Sequence, residues 1–275
     1  MLNIGWFSTA RGESSRKLLE AIVTSIQKGQ LKARIEFVFC SRERGESEST
    51  DIFLNDVENY RLPLVCFSVK RFAERYEQKI GVKDEKLPAW RLEYDKQVID
   101  RLARYKPDIC TLAGYMLIVG PEMCNRYNMI NLHPALPDGP KGTWQEVIWT
   151  LMEQKAQYSG VMMHLVTPEL DRGPVITYCR FPITGDKFDN IWVETIMKSV
   201  SVVKDKEGIN NPLFKAIRRE GFIREMPLII HTLKAFSEGK IGVSEDKILI
   251  DRGQHPLPGY DLTDEIDEAI KEMPI

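Results

Sequence analysis

Asn131 and His133 stand two residues apart at the end of an apolar run, Met129-Ile130-Asn131-Leu132-His133-Pro134. An aspartate, Asp171, follows further along the chain, just before Arg172-Gly173-Pro174. Side chains alternate along a strand, so Asn131 and His133 would share a face. The amide can donate a hydrogen bond, the imidazole can carry a proton, and the carboxylate can steer it. This set suits acyl transfer through a tetrahedral intermediate, with donors aimed at the developing oxyanion and no covalent nucleophile required. Each residue also has a plainer use: Asp171 could cap a turn, and a histidine beside a core strand is commonly structural. Position favours the chemistry. His133 closes the run, and Pro134 opens a Pro/Gly-rich loop through Gly142. His164 in mid-strand, His231 in mid-helix and His255 near the C-terminus fit core or surface roles better.

A second candidate lies in the turn Ser8-Thr9-Ala10-Arg11-Gly12-Glu13-Ser14-Ser15. It follows a strand-like run and precedes a helix-like one, where free backbone N–H groups favour an anion. Arg11, Gly12, Ser14 and Ser15 suit a phosphate cradle. The turn is neither GxGxxG nor a P-loop, and Ser14 or Ser15 serving as the helix N-cap explains it equally well.

These residues need a scaffold. Strands are expected over Leu2–Phe7, Arg34–Cys40, Leu64–Phe67, Asp108–Ala113 and Met129–His133, with helices over Ser15–Ile26, Asp51–Tyr60, Tyr94–Tyr105 and Pro121–Arg126 between them. The charged stretches Arg71–Lys79 and Glu85–Glu93 read as a surface insertion or loose helix. Alternating strands and helices predict an α/β fold with a doubly wound, mostly parallel sheet, whose strand C-termini form the site. A helix over Thr143–Lys155 and strands over Ser159–Val166 and Val175–Pro182 predict an antiparallel edge. Further helices are expected over Ile191–Val203, Pro212–Arg219 and Phe222–Phe236, with a polar stretch over Lys204–Asn211. A hairpin over Lys240–Ile250 and a C-terminal extension with a helix over Thr263–Lys271 complete the chain.

The 275 residues carry a net charge of -2, which gives no reason to invoke nucleic acid or an anionic membrane. Five scattered cysteines with no CxxC pair read as buried thiols in a reducing compartment, with no metal site. No apolar stretch approaches the roughly 20 residues of a membrane span. The first strand-like run begins directly, without a signal-peptide pattern, so a cytoplasmic location is expected.

Three longer motifs carry a resemblance: Leu112-Ala113-Gly114-Tyr115-Met116, Ile130-Asn131-Leu132-His133-Pro134-Ala135-Leu136-Pro137, and His164-Leu165-Val166-Thr167-Pro168-Glu169-Leu170-Asp171-Arg172-Gly173-Pro174-Val175. In order and spacing the chain resembles the 10-formyltetrahydrofolate-dependent formyltransferase family. The resemblance implies a Rossmann-like formyltransferase fold and formyl transfer from the reduced folate to a small phosphorylated amine, foremost phosphoribosylglycinamide of purine biosynthesis, without a metal. It places catalysis on Asn131, His133 and Asp171. It places the folate against Met116, Leu117, Ile118 and Val119 and against Thr167, Glu169 and Leu170. The acceptor phosphate falls at Arg11, Gly12, Ser14 and Ser15, and the sugar hydroxyls at Glu225. It divides the chain into a catalytic domain over 1–187 that resumes over 222–250, a helical insertion over 188–221 and a tail over 251–275. A homodimer stays open.

The departures concern the acceptor. Glu13 puts a negative charge in the phosphate turn, which Arg11 and Arg16 could offset. Leu117 stands where the family usually has an arginine, and the loop Asp138–Trp144 is unlike the family's. Other acceptors, such as an amino sugar, stay open. So does hydrolysis of the formyl folate with water as acceptor, although that branch normally carries an N-terminal regulatory domain. A non-catalytic folate- or nucleotide-binding protein would be expected to break the Asn131/His133/Asp171 set.

Overall fold

The computed structural model describes residues 1–76, 87–169, 172–185 and 187–272. Strand β1 (Leu2–Ser8) leads through α1 (Glu13–Gln27) to β2 (Ala33–Cys40), and α2 (Glu48–Asn59) leads to β3 (Leu64–Cys66). Helices α3 (Val69–Glu74) and α4 (Ala89–Leu102) bring the chain back to β4 (Ile109–Leu112), and α5 (Pro121–Arg126) connects to β5 (Met129–His133). Helix α6 (Trp144–Glu153) precedes β6 (Tyr158–Leu165) and β7 (Val175–Pro182). Then come α7 (Asp189–Met197), α8 (Val200–Lys206), a 3-10 turn (Gly208–Asn210) and the long α9 (Pro212–Ser237). The chain ends with β8 (Ile241–Val243), β9 (Leu249–Asp251), β10 (Tyr260–Asp261) and α10 (Thr263–Lys271).

The main sheet runs β10-β7-β6-β5-β4-β1-β2-β3. Strands β1 to β5 pair in parallel, while β6 is antiparallel to both β5 and β7. The doubly wound sheet and its antiparallel portion are as expected. The C-terminal segment contributes a strand of its own, since β10 extends the edge beside β7. Strand order reverses at β1, which lies between β2 and β4. The crevice beyond the carboxyl ends of β1 and β4 is where ligands bind in such sheets.

Both faces of the sheet are packed, which explains why its strands read as nearly continuous apolar runs. Ile4, Trp6, Ile22, Val38, Met163 and Leu228 belong to one face's core. Phe7, Phe37, Phe39, Tyr94, Leu112 and Met129 belong to the other's. Between them Gly5 allows close approach, because a Cβ there would lie 2.7 Å from both Phe37 Cζ and Cys110 Sγ. A third cluster joins α6, α7 and α9 through Met152, Trp192 and Phe214.

Several boundaries differ from the sequence expectations. The helices expected over Pro212–Arg219 and Phe222–Phe236 are one helix, α9, containing Gly221 and Pro227. Its buried positions Leu213, Phe214, Ile217, Gly221, Arg224 and Leu228 recur at three- and four-residue spacing straight through the glycine. Packing of that stripe outweighs the ~1 kcal/mol that Gly costs in a helix interior. The helix expected over Ile191–Val203 is instead two, broken at Ser199, whose φ of 60° leaves the helical region. Helix α4 begins at Ala89, directly after Pro88, ahead of the expected Tyr94. Of the charged stretches expected over Arg71–Lys79 and Glu85–Glu93, residues 77–79 and 85–86 lie outside the described residues; Val69–Glu74 is helical, with Ser68 as its N-cap, and residues 89–93 open α4.

Candidate active site

Thr9 links the two loops at the strand-order reversal. Its Oγ1 accepts the Met116 N–H at 2.9 Å, and its own N–H donates to the Gly114 carbonyl at 3.1 Å. Gly114 (φ 70°) packs against Ser15, since a Cβ there would lie 2.9 Å from Ser15 Oγ. The start of α1 and the segment after β4 are therefore held as neighbours.

That segment walls a cleft of about 200 Å³ lined by Leu112, Tyr115, Met116–Val119, Asn131, His164, Val166 and Thr167. The cleft thus gathers Met116, Leu117, Ile118, Val119, Thr167 and Asn131 from the sequence candidates. Glu169 is exposed and absent from the lining; its carbonyl accepts the Thr167 hydroxyl at 3.0 Å. Leu170 and Asp171 lie outside the described residues.

His133 is 3% exposed, and its Nε2 lies 3.0 Å from the Pro140 carbonyl oxygen. A carbonyl only accepts, so that nitrogen carries the proton in this arrangement. The loop after β5 therefore folds back to orient the ring.

His164 is buried, as a core role requires, but it also faces the cleft. It lies at the end of β6, pairs with Asn131 in the β5–β6 register and lines the same cleft. Its ring stands edge-on to that of His133, with centroids 6.2 Å apart. The antiparallel register decides this placement, and one strand's periodicity cannot reveal a register with its neighbour.

Two further residues support the cleft from behind. Arg91 and Asp95, one turn apart on α4, are 5% and 2% exposed. Arg91 Nη2 donates to Asp95 Oδ1 at 2.9 Å and to the Ile118 carbonyl at 2.8 Å. Asp95 Oδ2 accepts the Gly120 N–H at 2.7 Å. Burial pushes the Asp95 carboxyl above its ordinary range, and the Arg91 charge pulls against this. The i,i+4 Arg/Asp spacing was visible in the sequence, but its target loop was not.

In the phosphate-turn candidate the helix N-cap is Gly12, with no side-chain capping bond; it is neither Ser14 nor Ser15. Arg11 and Ser14 are exposed, whereas Ser15 is 4% exposed and packs beneath Gly114. Glu13 pairs with Lys17 at 2.9 Å. Arg16 does not offset Glu13 by direct pairing, because its Nε is bonded to Asp56 at 2.6 Å.

Glu225 lies on α9 and accepts a hydrogen bond from Arg218. Its side chain is 18% exposed, and burial raises its pKa above the ordinary value while Arg218 opposes the rise. The neighbouring Arg224 points elsewhere, bridging Glu220 at 2.9 Å and Asp267 of α10 at 3.0 Å.

Comparison with known proteins identifies the family and matches the fold. The sequence pattern of the family described as formyl transferase matches residues 12–201. The chain is 36% identical over 101 residues to phosphoribosylglycinamide formyltransferase of Escherichia coli, an alignment covering 36% of this chain and 47% of that enzyme. In that alignment the chain thus spans about half of its relative's length. It is 24% identical over 245 residues to the Haemophilus influenzae enzyme of the same name, covering 88% of this chain and 92% of that one. The fold matches the solved phosphoribosylglycinamide formyltransferase of Coxiella burnetii with a TM-score of 0.64 at 20% identity, over 94% of this chain and 98% of the other. With the pattern spanning more than half of its length, the chain belongs to the formyl transferase family.

Proposed function

We propose that the protein transfers the formyl group of 10-formyltetrahydrofolate to the amine of a small phosphorylated substrate, foremost phosphoribosylglycinamide, in the cytoplasmic synthesis of purines. The observation carrying this reading is the cleft shared by Asn131, His164 and Met116–Val119, with the His133 ring centre 6.2 Å from that of His164. Its apolar walls, Leu112, Tyr115, Leu117, Val119 and Val166, suit a flat heteroaromatic ring, while Asn131, His164 and Thr167 suit the polar edge of such a ring. The relatives carrying the name phosphoribosylglycinamide formyltransferase support the choice of acceptor.

The bound folate supplies the formyl carbon. The Asn131 amide and the His133 Nε2–H present two donors to the oxygen on which charge develops as the amine attacks. The His133 donor points at the Pro140 carbonyl here and must exchange that partner for the oxyanion. Apo hydrogen bonds commonly rearrange in this way when a substrate enters. Asp171 helps pass the proton released by the attacking nitrogen to the departing folate nitrogen. Thr167, Glu169 and Leu170 continue the folate wall, and no metal is invoked. The acceptor phosphate meets Arg11, Gly12, Ser14 and Ser15, and its sugar hydroxyls approach Glu225. Residues 1–187 and 222–250 form the catalytic unit; 188–221 is an insertion that α9 joins to it without a break, and 251–275 follows as an extension that adds β10 to the edge of the sheet.

The test is an acceptor screen with 10-formyltetrahydrofolate and purified protein. Formylated phosphoribosylglycinamide is expected. Formate release without any amine would make the protein a hydrolase, and formylation of an amino sugar alone would overturn the acceptor.

A further inference from the structure

We propose that the outward face of α7 is a homodimer contact, in which two copies of the chain cross antiparallel about a two-fold axis beside Ile196. The proposal goes beyond formyl transfer and does not depend on it.

The inner side of α7 is firmly docked. Trp192 is buried in the cluster it shares with Met152 and Phe214, and its indole N–H donates to the Ile183 carbonyl at 2.5 Å. Thr195, three residues on, is buried as well. The outer side carries Val193, Ile196 and Met197, which are 57%, 43% and 82% exposed. Three- and four-residue spacing gathers them into one stripe on a single turn. One exposed apolar side chain is ordinary on a protein surface. Three together on a docked helix leave apolar surface in water that association would remove. Methionine, the most exposed of the three, is enriched at such contacts.

The charges beside the stripe identify what covers it. Glu194 and Lys198 stand four residues apart along one flank, and both are exposed. In a two-fold contact, if one residue meets a second across the axis, the second also meets the first. With the axis beside Ile196, Glu194 of one copy faces Lys198 of the other, and the same pair repeats across the axis. Parallel pairing would set like charge against like. The flank is thus complementary to its own two-fold copy. Lys198 already donates to Glu207 at 3.0 Å, but an ammonium has three donors and this side chain stays 55% exposed. An anionic membrane surface, by contrast, would be repelled by Glu194.

Size sets the strength of the contact. One helix face falls short of the ~20–30 residues a side of a standard interface. The association is therefore weak, in the micromolar range, and depends on protein concentration. Burial of the stripe drives it, while the exposed ion pairs add little energy and fix the antiparallel orientation.

The test is sedimentation velocity of the full chain at low salt, across micromolar concentrations. A dimer should grow in as concentration rises. Met197→Asp, at a site too exposed to disturb folding, should raise the dimer Kd by at least about tenfold, because it puts an unpaired charge into the contact. Glu194→Lys and Lys198→Glu should each weaken self-association, since like charges then meet across the axis. Mixed in equal amounts, these two variants should form a dimer tighter than either forms alone, one bringing Lys at both positions and the other Glu. The double reversal should recover wild-type association. Ile248→Asp, on the connection between β8 and β9, should change nothing. A chain that stays monomeric throughout would overturn the contact. So would a dimer indifferent to Met197→Asp, or a mixture no tighter than its components.

Discussion

Asp95 holds the backbone of Gly120 through a 2.7 Å hydrogen bond, so the wall of the proposed folate cleft is tied to a buried carboxylate on α4. Asp95 is also the ion-pair partner of Arg91, and both side chains are almost wholly enclosed. Asp95→Ala leaves the buried Arg91 charge without this partner and the Gly120 N–H without its acceptor. Removing one member of a buried pair costs about 3–5 kcal/mol. Urea denaturation should show a loss of that order. Asp95→Asn, which keeps an acceptor for Gly120, should lose less stability while raising the folate KM. Equal stability of wild type and Asp95→Ala would contradict the strut.

Gly173 marks the other side of the cleft. A Cβ there would overlap the Leu165 carbonyl oxygen at the end of β6, where the Leu165 N–H donates to the Pro174 carbonyl at 2.8 Å. Gly173→Ala therefore has to push the turn away from β6. It should destabilise by at least the ~1–3 kcal/mol typical of overpacking. Because Val166 and Thr167 line the cleft beside this turn, folate affinity should fall with stability. A thermal melt and a folate titration on the same variant check both; wild-type values in each would show that the turn yields freely.

The sheet and the loops at its carboxyl edge were legible because their signals are local: apolar runs, proline and glycine punctuation, and the Asn131-x-His133 alternation. Contacts set by register or by long-range packing were not. His164 reads as a mid-strand residue until its pairing with Asn131 is known. Gly221 reads as a break because a single sequence does not show what packs beside it; with Phe181 and Val161 alongside, a Cβ there would make only ordinary contact. Arg218 reads as one more charge on a polar helix, because Trp144, which packs on it, comes from far away in sequence.

His231 gives a pH dependence. Its pKa is lowered from 6.5, chiefly by burial, with Lys234 and Lys240 adding to the fall and Glu265 and Glu238 opposing it. Between the folded and unfolded values the unfolded chain binds more protons, so stability rises with pH there. The His231 contribution is present above pH 6.5 and is lost as pH falls through the folded value. Denaturation midpoints should therefore decline on acidification below pH 6.5. His231→Gln should flatten that part of the profile; an unchanged slope would assign it to other groups.

The two donors proposed for the oxyanion can be separated from folate binding. The cleft wall at Met116–Gly120 is held by Thr9, Arg91 and Asp95, none of which contacts His133 in the hydrogen bonds described above. His133→Ala and Asn131→Ala should therefore leave a folded protein. His133→Ala should bind folate with nearly wild-type affinity, while Asn131→Ala, a change in the cleft lining, should weaken it modestly. Loss of one preorganised oxyanion donor costs about 10²–10³ in kcat. Groups acting on one transition state are not additive, so the double variant should fall little below the weaker single one. Single-turnover formyl transfer, with fluorescence titration of a non-transferable folate, measures the chemical and binding parts separately. Multiplicative losses would mean that the two side chains act on different steps, and undiminished turnover in His133→Ala would remove His133 from the chemistry altogether.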